Sequence, residues 1–573
     1  MNIFDKFLDK IKPLILNNQN GLGITKINEF KGVTAESPPA EFDFDLSLNI
    51  SLVLGKINKQ NPKDLALKIK SLLLTNLKNI NSIEIAGPGF LNIKLDETYI
   101  KNFINSIITN KELYGSTPDN KKYNIEFVSA NPTGPMHVGH CRGAIYGDVL
   151  ANLLKFNGNN VTKEYYINDY GNQIENFTKS VFLRIREEKY NEKFISSKDL
   201  YPGDYIIDIA KNIINENINF PFENLEKSYE IVREESLKHS MNMIKNDLQK
   251  LGIKHDYFFS ETEIVNKNLV NNAVEALQKN NFVEEGYLNP PKGTDTKDWK
   301  KTKKLLFKST LFGDDTDRAL KKNDGSWTYF ANDIAYHSDK VSRNYDYLIN
   351  VLGADHTGYI KRISAAVEAL SNKKTKLDCR VCQLVKLFKN GEPYKMSKRS
   401  GDFISANDLL NEVNKDSIRF MMLNRSNDVE LDFDFDKVLE KGKENPVFYV
   451  QYCYARINSL FSALKMNLNE PIKFTNNFKI NSYEIKILRK IFDWPKIIST
   501  ASKKYEPHRI PFYLYELATL FHSYWSKGNE NNEYKFIING KLNNASSLII
   551  IQILAIVIQN GMGILGVSLP KKM

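Results

Sequence analysis

Two of the chain's eight histidines, His137 and His140, stand three residues apart in the turn-rich stretch NPTGPMHVGHC. The preceding YNIEFVSA has the pattern of a strand, and from Arg142 onward apolar residues recur at helical spacing. The start of a helix after a parallel strand favours phosphate, because its free N–H groups and positive dipole end attract anions. Gly139 has no Cβ and allows a nucleotide to approach closely. The spacing alone leaves open a second interpretation, two capping histidines without a ligand.

A second basic motif, KMSKRSG, begins at Lys395, about 255 residues further along the chain. It follows an Asn-Gly pair between apolar runs, which is the strongest short signal for a β-hairpin. Lys395 and Lys398 on such a loop can close on a leaving pyrophosphate and neutralise its developing charge. A run of basic residues is usually a solvated surface segment. Its combination with the histidine turn favours a site for nucleotide phosphates.

Composition and charge are those of a soluble globular protein. The chain has 573 residues, 42% of them apolar and 26% charged, which predicts roughly two to four domains. The net charge of +11 permits a polyanionic partner such as nucleic acid but does not require one. The four cysteines suit a reducing cytosol. Cys379 and Cys382 form a C-x-x-C without a second pair, so no structural zinc is expected.

No stretch of the sequence indicates export or membrane insertion. The opening MNIFDKFLDKIKPL mixes acidic residues with apolar ones and lacks the apolar core of a signal peptide. The longest apolar run, LIIIQILAIVI from Leu548 to Ile558, is too short to span a bilayer and predicts a buried helix. We therefore expect a cytoplasmic protein that does not bind membranes.

The order of elements predicts an α/β protein with three domains. Residues 1–115 form a small α+β domain, in which AEFDFDLSLNISLVL is a strand, PKDLALKIKSLLLTNL a helix and IEIAGPGFLNIKL two strands around a turn. Residues 116–435 contain a strand–helix–strand order, hence a parallel sheet, with a charged helical insertion at about 180–260. Residues 436–573 have helical patterns throughout.

Seven stretches together resemble the class I arginyl-tRNA synthetases over essentially the full length of the chain. They are EFVSANPTGPMHVGHCRGAIYGD, EYYINDYGNQI, STLFGDDTDRALKKNDGSWTYFANDIAYHSDK, VLGADHTGYIKR, GEPYKMSKRSGDF, NPVFYVQYCYARI and PHRIPFYLYELATLFHSYW. The resemblance implies a Rossmann-like catalytic domain, an N-terminal domain that contacts tRNA and an all-α anticodon-binding domain. Many enzymes of this family lack the second lysine of the KMSK loop, but Lys398 is present here.

The reaction implied by this family has two steps. ATP and L-arginine give arginyl-adenylate and pyrophosphate, and the arginyl group then moves to the 2′-hydroxyl of the terminal adenosine of the tRNA for arginine. The implied catalytic residues are His137, His140, Lys395 and Lys398. The lysines would hold the β- and γ-phosphates with Mg²⁺. Further implied contacts to ATP are Gly139, Gly353, Asp355, His356, Met396 and Ser397.

The family match also places the arginine. The implied binding residues are Glu126, Ser129, Asn131, Glu261, Tyr329 and Asp333. The first three would hold the α-amino and carboxylate groups. A buried guanidinium needs carboxylates in fork geometry, because an unpaired buried charge is prohibitive, and Glu261 and Asp333 would supply them. If the stretch is helical, Tyr329 and Asp333 lie on one face. Any single acid among 68 is more often a solvated surface group.

Contacts with tRNA are expected in both outer domains. Phe90 and Asn92 match a loop-base contact of the family, and Tyr449, Tyr452 and Tyr454 can stack on splayed anticodon bases. Aromatic residues at helical spacing are more often core. The family also implies a monomer that forms adenylate only with tRNA bound. Two alternatives are another class I synthetase or nucleotidyltransferase, and a tRNA-binding relative without catalysis. The intact motifs and the acidic pocket count against both.

Overall fold

A computed structural model describes the chain in five segments, which are residues 2–39, 42–288, 302–394, 404–474 and 478–573. The chain divides into two compact units. The first comprises Met1–Thr117, Lys441–Tyr505 and Arg509–Met573, and the second comprises Pro118–Glu440 and Glu506–His508.

The strands of the described segments are β1 (Ala35–Glu36), β2 (Leu46–Leu48), β3 (Ile80–Ala86), β4 (Phe90–Leu95), β5 (Lys122–Glu126), β6 (Asn160–Ile167), β7 (Tyr257–Ser260), β8 (Val283–Tyr287), β9 (Lys303–Phe307), β10 (Arg318–Ala319), β11 (Tyr347–Gly353), β12 (Lys376–Cys382), β13 (Val385–Lys389), β14 (Glu392–Pro393), β15 (Leu431–Asp434), β16 (Ile537–Ile538) and β17 (Lys541–Leu542).

The α-helices of the same segments are α1 (Ile3–Asn17), α2 (Gln19–Leu22), α3 (Ile50–Asn58), α4 (Pro62–Asn76), α5 (Glu97–Thr109), α6 (Val138–Phe156), α7 (Asn172–Tyr190), α8 (Tyr205–Glu216), α9 (Leu225–Lys250), α10 (Glu261–Asn266), α11 (Leu269–Lys279), α12 (Tyr329–Ser342), α13 (Ile360–Leu370), α14 (Ala406–Glu412), α15 (Lys415–Met421), α16 (Phe435–Leu439), α17 (Pro446–Ala463), α18 (Ser482–Lys504), α19 (Arg509–Glu530) and α20 (Ala545–Leu565).

The second unit is built on a five-stranded parallel sheet with the order β12-β11-β5-β6-β7. The predicted strand–helix–strand is β5, α6 and β6, so the predicted α/β class is confirmed. Helix α6 packs closely on the sheet at Gly147. Any residue with a Cβ at this position would overlap the ring of Phe127. The helix ends just before Gly158, whose φ of 74° is in the left-handed region favoured by glycine.

Helices α7, α8 and α9 connect β6 to β7 and enclose a small core of their own, which includes Phe177, Ile209 and Val232. The predicted insertion at about 180–260 contains the end of α7 and all of α8 and α9, and the last of these helices ends at Lys250. Its last residues, Tyr257–Ser260, instead form β7 and pair in parallel with β6. The charged helices therefore form an enlarged crossover between two neighbouring strands of the main sheet.

The predicted hairpin is confirmed as β13 and β14. Asn390 and Gly391 connect the strands with φ values of 56° and 76°. Positive φ at both central residues is the conformation that the right-handed twist of a two-residue hairpin requires. The hairpin ends immediately before the KMSK motif, which lies outside the described residues.

The first unit combines a four-stranded antiparallel sheet, β1-β2-β4-β3, with helices from both ends of the chain. The strand predicted in AEFDFDLSLNISLVL was correct only for Leu46–Leu48, which form β2, and wrong for residues 42–45 and beyond Leu48. Helix α3 begins at Ile50, because Ile50 and Leu54 repeat at helical spacing and are both fully buried. The helix and the two strands predicted after it are α4, β3 and β4, as expected.

Residues predicted as the first and third domains share one core in this unit. Tyr114 donates a hydrogen bond to Ile491 O at 2.9 Å, and the indole of Trp494 donates to Tyr114 O at 3.0 Å. Gly115, with a φ of 102°, passes so close to this indole that a Cβ would not fit. The division into three domains stays a prediction. In the structure, the residues predicted as the first and third domains pack together in one unit.

The apolar run Leu548 to Ile558 belongs to α20, as predicted for a buried helix. The prediction that it is too short to span a bilayer was wrong, because the helix has 21 residues and meets the length and composition of a membrane span. Within the protein, 83% of its most apolar window is buried. It packs against α17, α18 and α19, as the central helix of a soluble core does.

Candidate active site

The histidine turn follows β5 through a strained backbone. Val128 and Ser129 have φ values of 72° and 41°, and a β-branched residue rarely adopts such a conformation. His137 is the N-cap of α6, and His140 is the third residue of the helix. The backbone N–H of His137 donates to Nδ1 of His140 at 3.2 Å, and the two rings stack with centroids 3.6 Å apart.

This geometry fixes the protonation of His140. Because Nδ1 accepts a hydrogen bond, the remaining proton of a neutral ring lies on Nε2. Burial, with a smaller contribution from His137, lowers the pKa of His140 to about 3. Burial also lowers the pKa of His137. Near pH 7 both imidazoles are therefore neutral, and His140 presents an N–H donor rather than a charge.

Gly139 leaves space for the ring of His137. A Cβ at this position would lie 2.9 Å from Cε1 and from Nδ1 of His137. The close approach of a nucleotide at Gly139 remains a prediction. The structure gives a separate reason for glycine at this position, because a side chain would collide with the imidazole of His137. Both capping and ligand binding stay possible for the pair, because the Nε2 atom of His140 is not used by the cap.

A pocket of about 430 Å³ opens beside the carboxyl ends of β5 and β11. This volume lies within the range of small-molecule sites. The structure brings five of the predicted residues together in its wall, which are Glu126, Ser129, Tyr329, Asp333 and Gly353. Tyr329 and Asp333 lie one turn apart on α12, as predicted, and Tyr329 is 81% exposed at the rim.

Glu126 is held by a buried lysine that the sequence did not indicate. Lys340 Nζ donates to Oε2 of Glu126 at 2.5 Å, and its side chain is fully buried. Ser129 Oγ donates to Oε1 at 3.1 Å and accepts the N–H of Tyr166 at 3.1 Å. Glu126 is thus oriented before any ligand binds.

Two other carboxyl groups are pushed towards their neutral forms. Burial, reinforced by nearby Asp169, raises the pKa of Glu261 to about 7. Burial also raises the pKa of Asp333 to about 7, against a hydrogen bond that the Tyr359 hydroxyl donates to Asp333 Oδ2. Asp333 lines the pocket, whereas Glu261 lies behind its wall and hydrogen-bonds Tyr166. A cation in the pocket would restore the charge of these groups.

The remaining predicted arginine contact is less direct. Asn131 is exposed and donates to the side chain of Gln173 at 2.9 Å. It accepts a hydrogen bond of 3.2 Å from Asn168, which lines the pocket. The structure therefore places Asn131 beside the pocket, one side chain away from its wall.

The predicted adenosine contacts follow β11. Gly353 ends this strand, and a Cβ there would meet the carboxylate of Asp355 at 2.7 Å. Asp355 is exposed in the 3₁₀ turn Ala354–Tyr359. The side chain of His356 lies outside the described atoms. Four further residues predicted to contact ATP lie outside the described residues, namely Lys395, Met396, Ser397 and Lys398.

The described residues after the KMSK motif contact the histidine turn directly. Val138 N–H donates to Ile404 O at 3.0 Å, and Ala406 N–H donates to Met136 O at 2.7 Å. His137 and Ser405 thereby form an isolated antiparallel bridge. Backbone hydrogen bonds therefore join the histidine turn to residues 404–406, which follow the KMSK motif in the sequence.

The predicted tRNA contacts differ in their accessibility. Tyr454 is 6% exposed and accepts a hydrogen bond from Gln559, so the prediction that it stacks on a base was wrong and it packs in the core. Tyr449 and Tyr452 are half-buried around His522. The three tyrosines differ in exposure because Tyr454 lies on the buried face of helix α17, whereas Tyr449 and Tyr452 do not.

The N-terminal pair is divided in the same way. Phe90 is 38% exposed, but Asn92 is 4% exposed in the middle of the antiparallel sheet. Phe90 is therefore accessible to a base, whereas the side chain of Asn92 is enclosed by the protein.

The C-x-x-C motif lies within strand β12. Cys379 and Cys382 are three residues apart on this strand, so their side chains point to opposite faces of the sheet. One tetrahedral ion cannot bind both in this arrangement. The geometry supports the expectation of two separate thiols.

Three family models match this chain. They are described as tRNA synthetases class I (R), catalytic domain, over residues 103–459, as DALR anticodon binding domain over residues 450–573, and as arginyl tRNA synthetase N terminal domain over residues 6–95. The DALR match begins within α17 and includes α18, α19 and α20.

The chain is also similar to full-length proteins and to solved structures. It is 54% identical to the arginine–tRNA ligase of Pelagibacter ubique and 44% identical to that of Bartonella bacilliformis, with 100% of each chain covered in both alignments. A solved structure described as an arginyl-tRNA synthetase from Campylobacter jejuni has a TM-score of 0.73 and 31% identity, covering 84% of this chain and 100% of that one. The chain therefore belongs to the class I arginyl-tRNA synthetases, as its motifs predicted.

Proposed function

We propose that the pocket beside β5 holds L-arginine and that the histidine turn at the end of the same strand holds the phosphates of ATP. Family membership makes the chain an ATP-dependent arginine–tRNA ligase. The observation that carries the assignment of residues is the position of Glu126 on β5, within the pocket, only eleven residues before His137. One strand thus supports both the amino acid and the nucleotide.

Adenylate formation needs no nucleophile from the protein. The carboxylate of arginine attacks the α-phosphorus in line, pyrophosphate leaves, and catalysis consists of positioning and charge stabilisation. His140 donates its Nε2–H to a phosphate oxygen as negative charge develops there, and His137 contacts the same group. Lys395 and Lys398 contact the β- and γ-phosphates, which bring Mg²⁺ with them as the metal complex of ATP.

The magnesium ion of the reaction enters with ATP. In the described part of the chain, one group of side chains lies close enough together to hold a metal ion, namely Glu216, Glu235 and His239 on α8 and α9, outside the pocket wall. Lys238 already forms ion pairs with both of these glutamates. This cluster is a surface ion-pair network rather than a magnesium site of the reaction.

Arginine is recognised at both of its ends. Glu126, Ser129 and Asn131 bind the α-amino and carboxylate groups. Asp333 pairs with the guanidinium from the pocket wall, Glu261 behind Tyr166 supplies a second acidic group, and Tyr329 closes the rim. A planar guanidinium can form two parallel hydrogen bonds to one carboxylate, which distinguishes arginine from lysine. Binding of the cation lowers the pKa of both acids and expels the protons that burial had retained.

The tRNA is bound through the other unit and the adenylate forms only when it is present. Tyr449 and Tyr452 contact anticodon bases, with the guanidinium of Arg456 4.2 Å above the ring of Tyr452. Phe90 contacts the tRNA elbow. The protein acts as a monomer in the cytoplasm.

Pyrophosphate exchange tests this assignment. Arginine-dependent ATP–pyrophosphate exchange should appear only after tRNA is added. Equal exchange with lysine would assign the pocket to another amino acid, and thus to another class I synthetase. Absence of exchange with every amino acid, with and without tRNA, would indicate a relative that binds tRNA but has lost catalysis.

An anticodon substitution tests how tRNA is read. Changing the central anticodon base of the cognate tRNA should weaken charging by about 1–3 kcal/mol or more, the scale of a lost stacked base. Tyr452→Ala should remove most of this discrimination, whereas Tyr454→Phe, which alters a buried residue, should preserve it. Equal charging of both tRNAs by the wild type would show that the C-terminal helices only clamp the tRNA.

A further inference from the structure

A buried carboxylate outside the arginine pocket contacts the histidine turn. Asp247, near the end of α9, is 6% exposed. It accepts a hydrogen bond from the backbone N–H of Met136, the residue before His137. Its Oδ2 atom has no hydrogen-bond partner within the segments that the structure describes. A carboxylate buried at the cost of its hydration is expected to have a specific role there.

The contact is part of a clamp on two consecutive peptide groups. The N–H of Met136 is bound by Asp247, and the C=O of Met136 accepts from Ala406 N–H at 2.7 Å. The N–H of that second peptide group, which belongs to His137, donates to Nδ1 of His140 at 3.2 Å. The orientation of the His140 ring therefore depends on the peptide groups that Asp247 and Ala406 hold.

The surroundings of Asp247 show that α9, α6 and α14 meet at this point. Burial raises the pKa of the Cys141 thiol in the first turn of α6, and the nearby charge of Asp247 raises it further. Lys250 of α9 lowers the pKa of Asp247 and Asp408 of α14 raises it, so both charges act on this carboxyl group. Lys250 also donates to the side chain of Asn407 at 2.5 Å, which attaches α9 to α14.

We infer that Asp247 is a positioning residue, which fixes the peptide groups around Met136 so that Nε2 of His140 points to the phosphates of ATP. The inference rests on the proposed role of His140. Asp247 itself touches no substrate. Loss of its hydrogen bond should therefore impair the chemical step but leave the binding of arginine intact, because Asp247 does not line the arginine pocket.

The test compares two substitutions of Asp247 in the full-length enzyme with tRNA. Asp247→Ala removes the acceptor, and its kcat for arginine-dependent pyrophosphate exchange should fall about tenfold or more, the scale of a lost hydrogen bond to a charged group. The KM for arginine should not change. Asp247→Asn keeps an acceptor oxygen and should retain most of the turnover. Ser240→Ala, at a buried residue of the same helix, is the matched control.

The outcomes are distinguishable. Wild-type turnover in Asp247→Ala, while His140→Ala is impaired, would overturn the inference and leave the proposed role of His140 standing. A loss in Asp247→Asn as large as in the alanine variant would also overturn it, because the hydrogen bond would then not be what matters. If Asp247→Ala does not fold, Asp247→Ser, which is too short to reach Met136, replaces it with the same expected loss of kcat.

Discussion

The histidine turn and the arginine pocket are both buried, and burial has opposite effects on their pKa values. It lowers the pKa of His140 to about 3 and raises the pKa of Glu261 and of Asp333 to about 7. In each case burial shifts the equilibrium towards the neutral form, because it removes the water that stabilises a charge. Near pH 7 the imidazole of His140 is therefore neutral, whereas the two carboxyl groups are only partly ionised.

The consequence for function differs between them. A neutral imidazole is already a hydrogen-bond donor, so the histidine turn needs no change of protonation to contact phosphate. Carboxyl groups with pKa values of about 7 are only partly ionised near neutral pH, so arginine completes the ionisation of the pocket when it binds. The nucleotide end is therefore preorganised by the backbone, whereas the amino-acid end is completed by its substrate.

The largest expected effect removes a charge from the pocket. Asp333→Asn keeps the size of the side chain but leaves the guanidinium without one partner, and breaking a buried ion pair costs about 3–5 kcal/mol. We expect kcat/KM for arginine to fall on the order of 10³-fold in tRNA-dependent pyrophosphate exchange. Asp315→Asn, at an exposed ion pair with Lys361, is the control. A decrease in kcat/KM of less than tenfold would show that Asp333 does not bind the guanidinium.

The next effect removes a donor from the histidine turn. His140→Ala and Lys398→Ala should each lower kcat on the order of 10²-fold, as expected for one lost contact to developing charge. Affinity for tRNA, measured by filter binding, should stay at the wild-type level in both. The comparison between the two regions would be broken if His140→Ala raised the KM for arginine and left kcat unchanged.

The sequence predicted the elements whose signals are local. The β5–α6–β6 order, the Asn390–Gly391 hairpin and the pairing of Tyr329 with Asp333 on one helix all depend on residues close together in the chain. The family resemblance implied five of the residues that line the pocket, namely Glu126, Ser129, Tyr329, Asp333 and Gly353. The motifs of the pocket lie at the ends of strands, where a parallel sheet necessarily brings side chains together.

What the sequence did not predict depends on distant contacts. Lys340 orients Glu126 from 214 residues away, and nothing near either residue indicates this pair. Tyr454 and Tyr452 have similar local sequences, and only the packing of α17 shows which one is buried. The shared core of the chain's two ends, with Trp494 against Tyr114, likewise has no local signal. Deletion of residues 440–573 would therefore disrupt this core, and single substitutions are better tests of tRNA binding.

The smallest expected effect is a dependence on pH that separates the two regions. Glu261 and Asp333, with pKa values of about 7, retain their protons at lower pH and lose them at higher pH. Arginine binds the ionised forms, so its KM should rise by about tenfold or more as the pH falls from 8 to 6, through linkage of proton release to binding. The guanidinium itself stays charged throughout this range.

The histidine turn should not follow this dependence. His140, with a pKa of about 3, stays neutral over the same interval, so kcat at saturating arginine and ATP should change little between pH 8 and pH 6.5. Exchange rates measured over a matrix of pH and arginine concentration separate KM from kcat. In Asp333→Asn one of the two titrating groups is absent, and the slope of log KM against pH should become shallower. A KM that is independent of pH in the wild type would mean that the carboxyl groups are ionised before arginine arrives, and the contrast between a preorganised and a substrate-completed end would then be wrong.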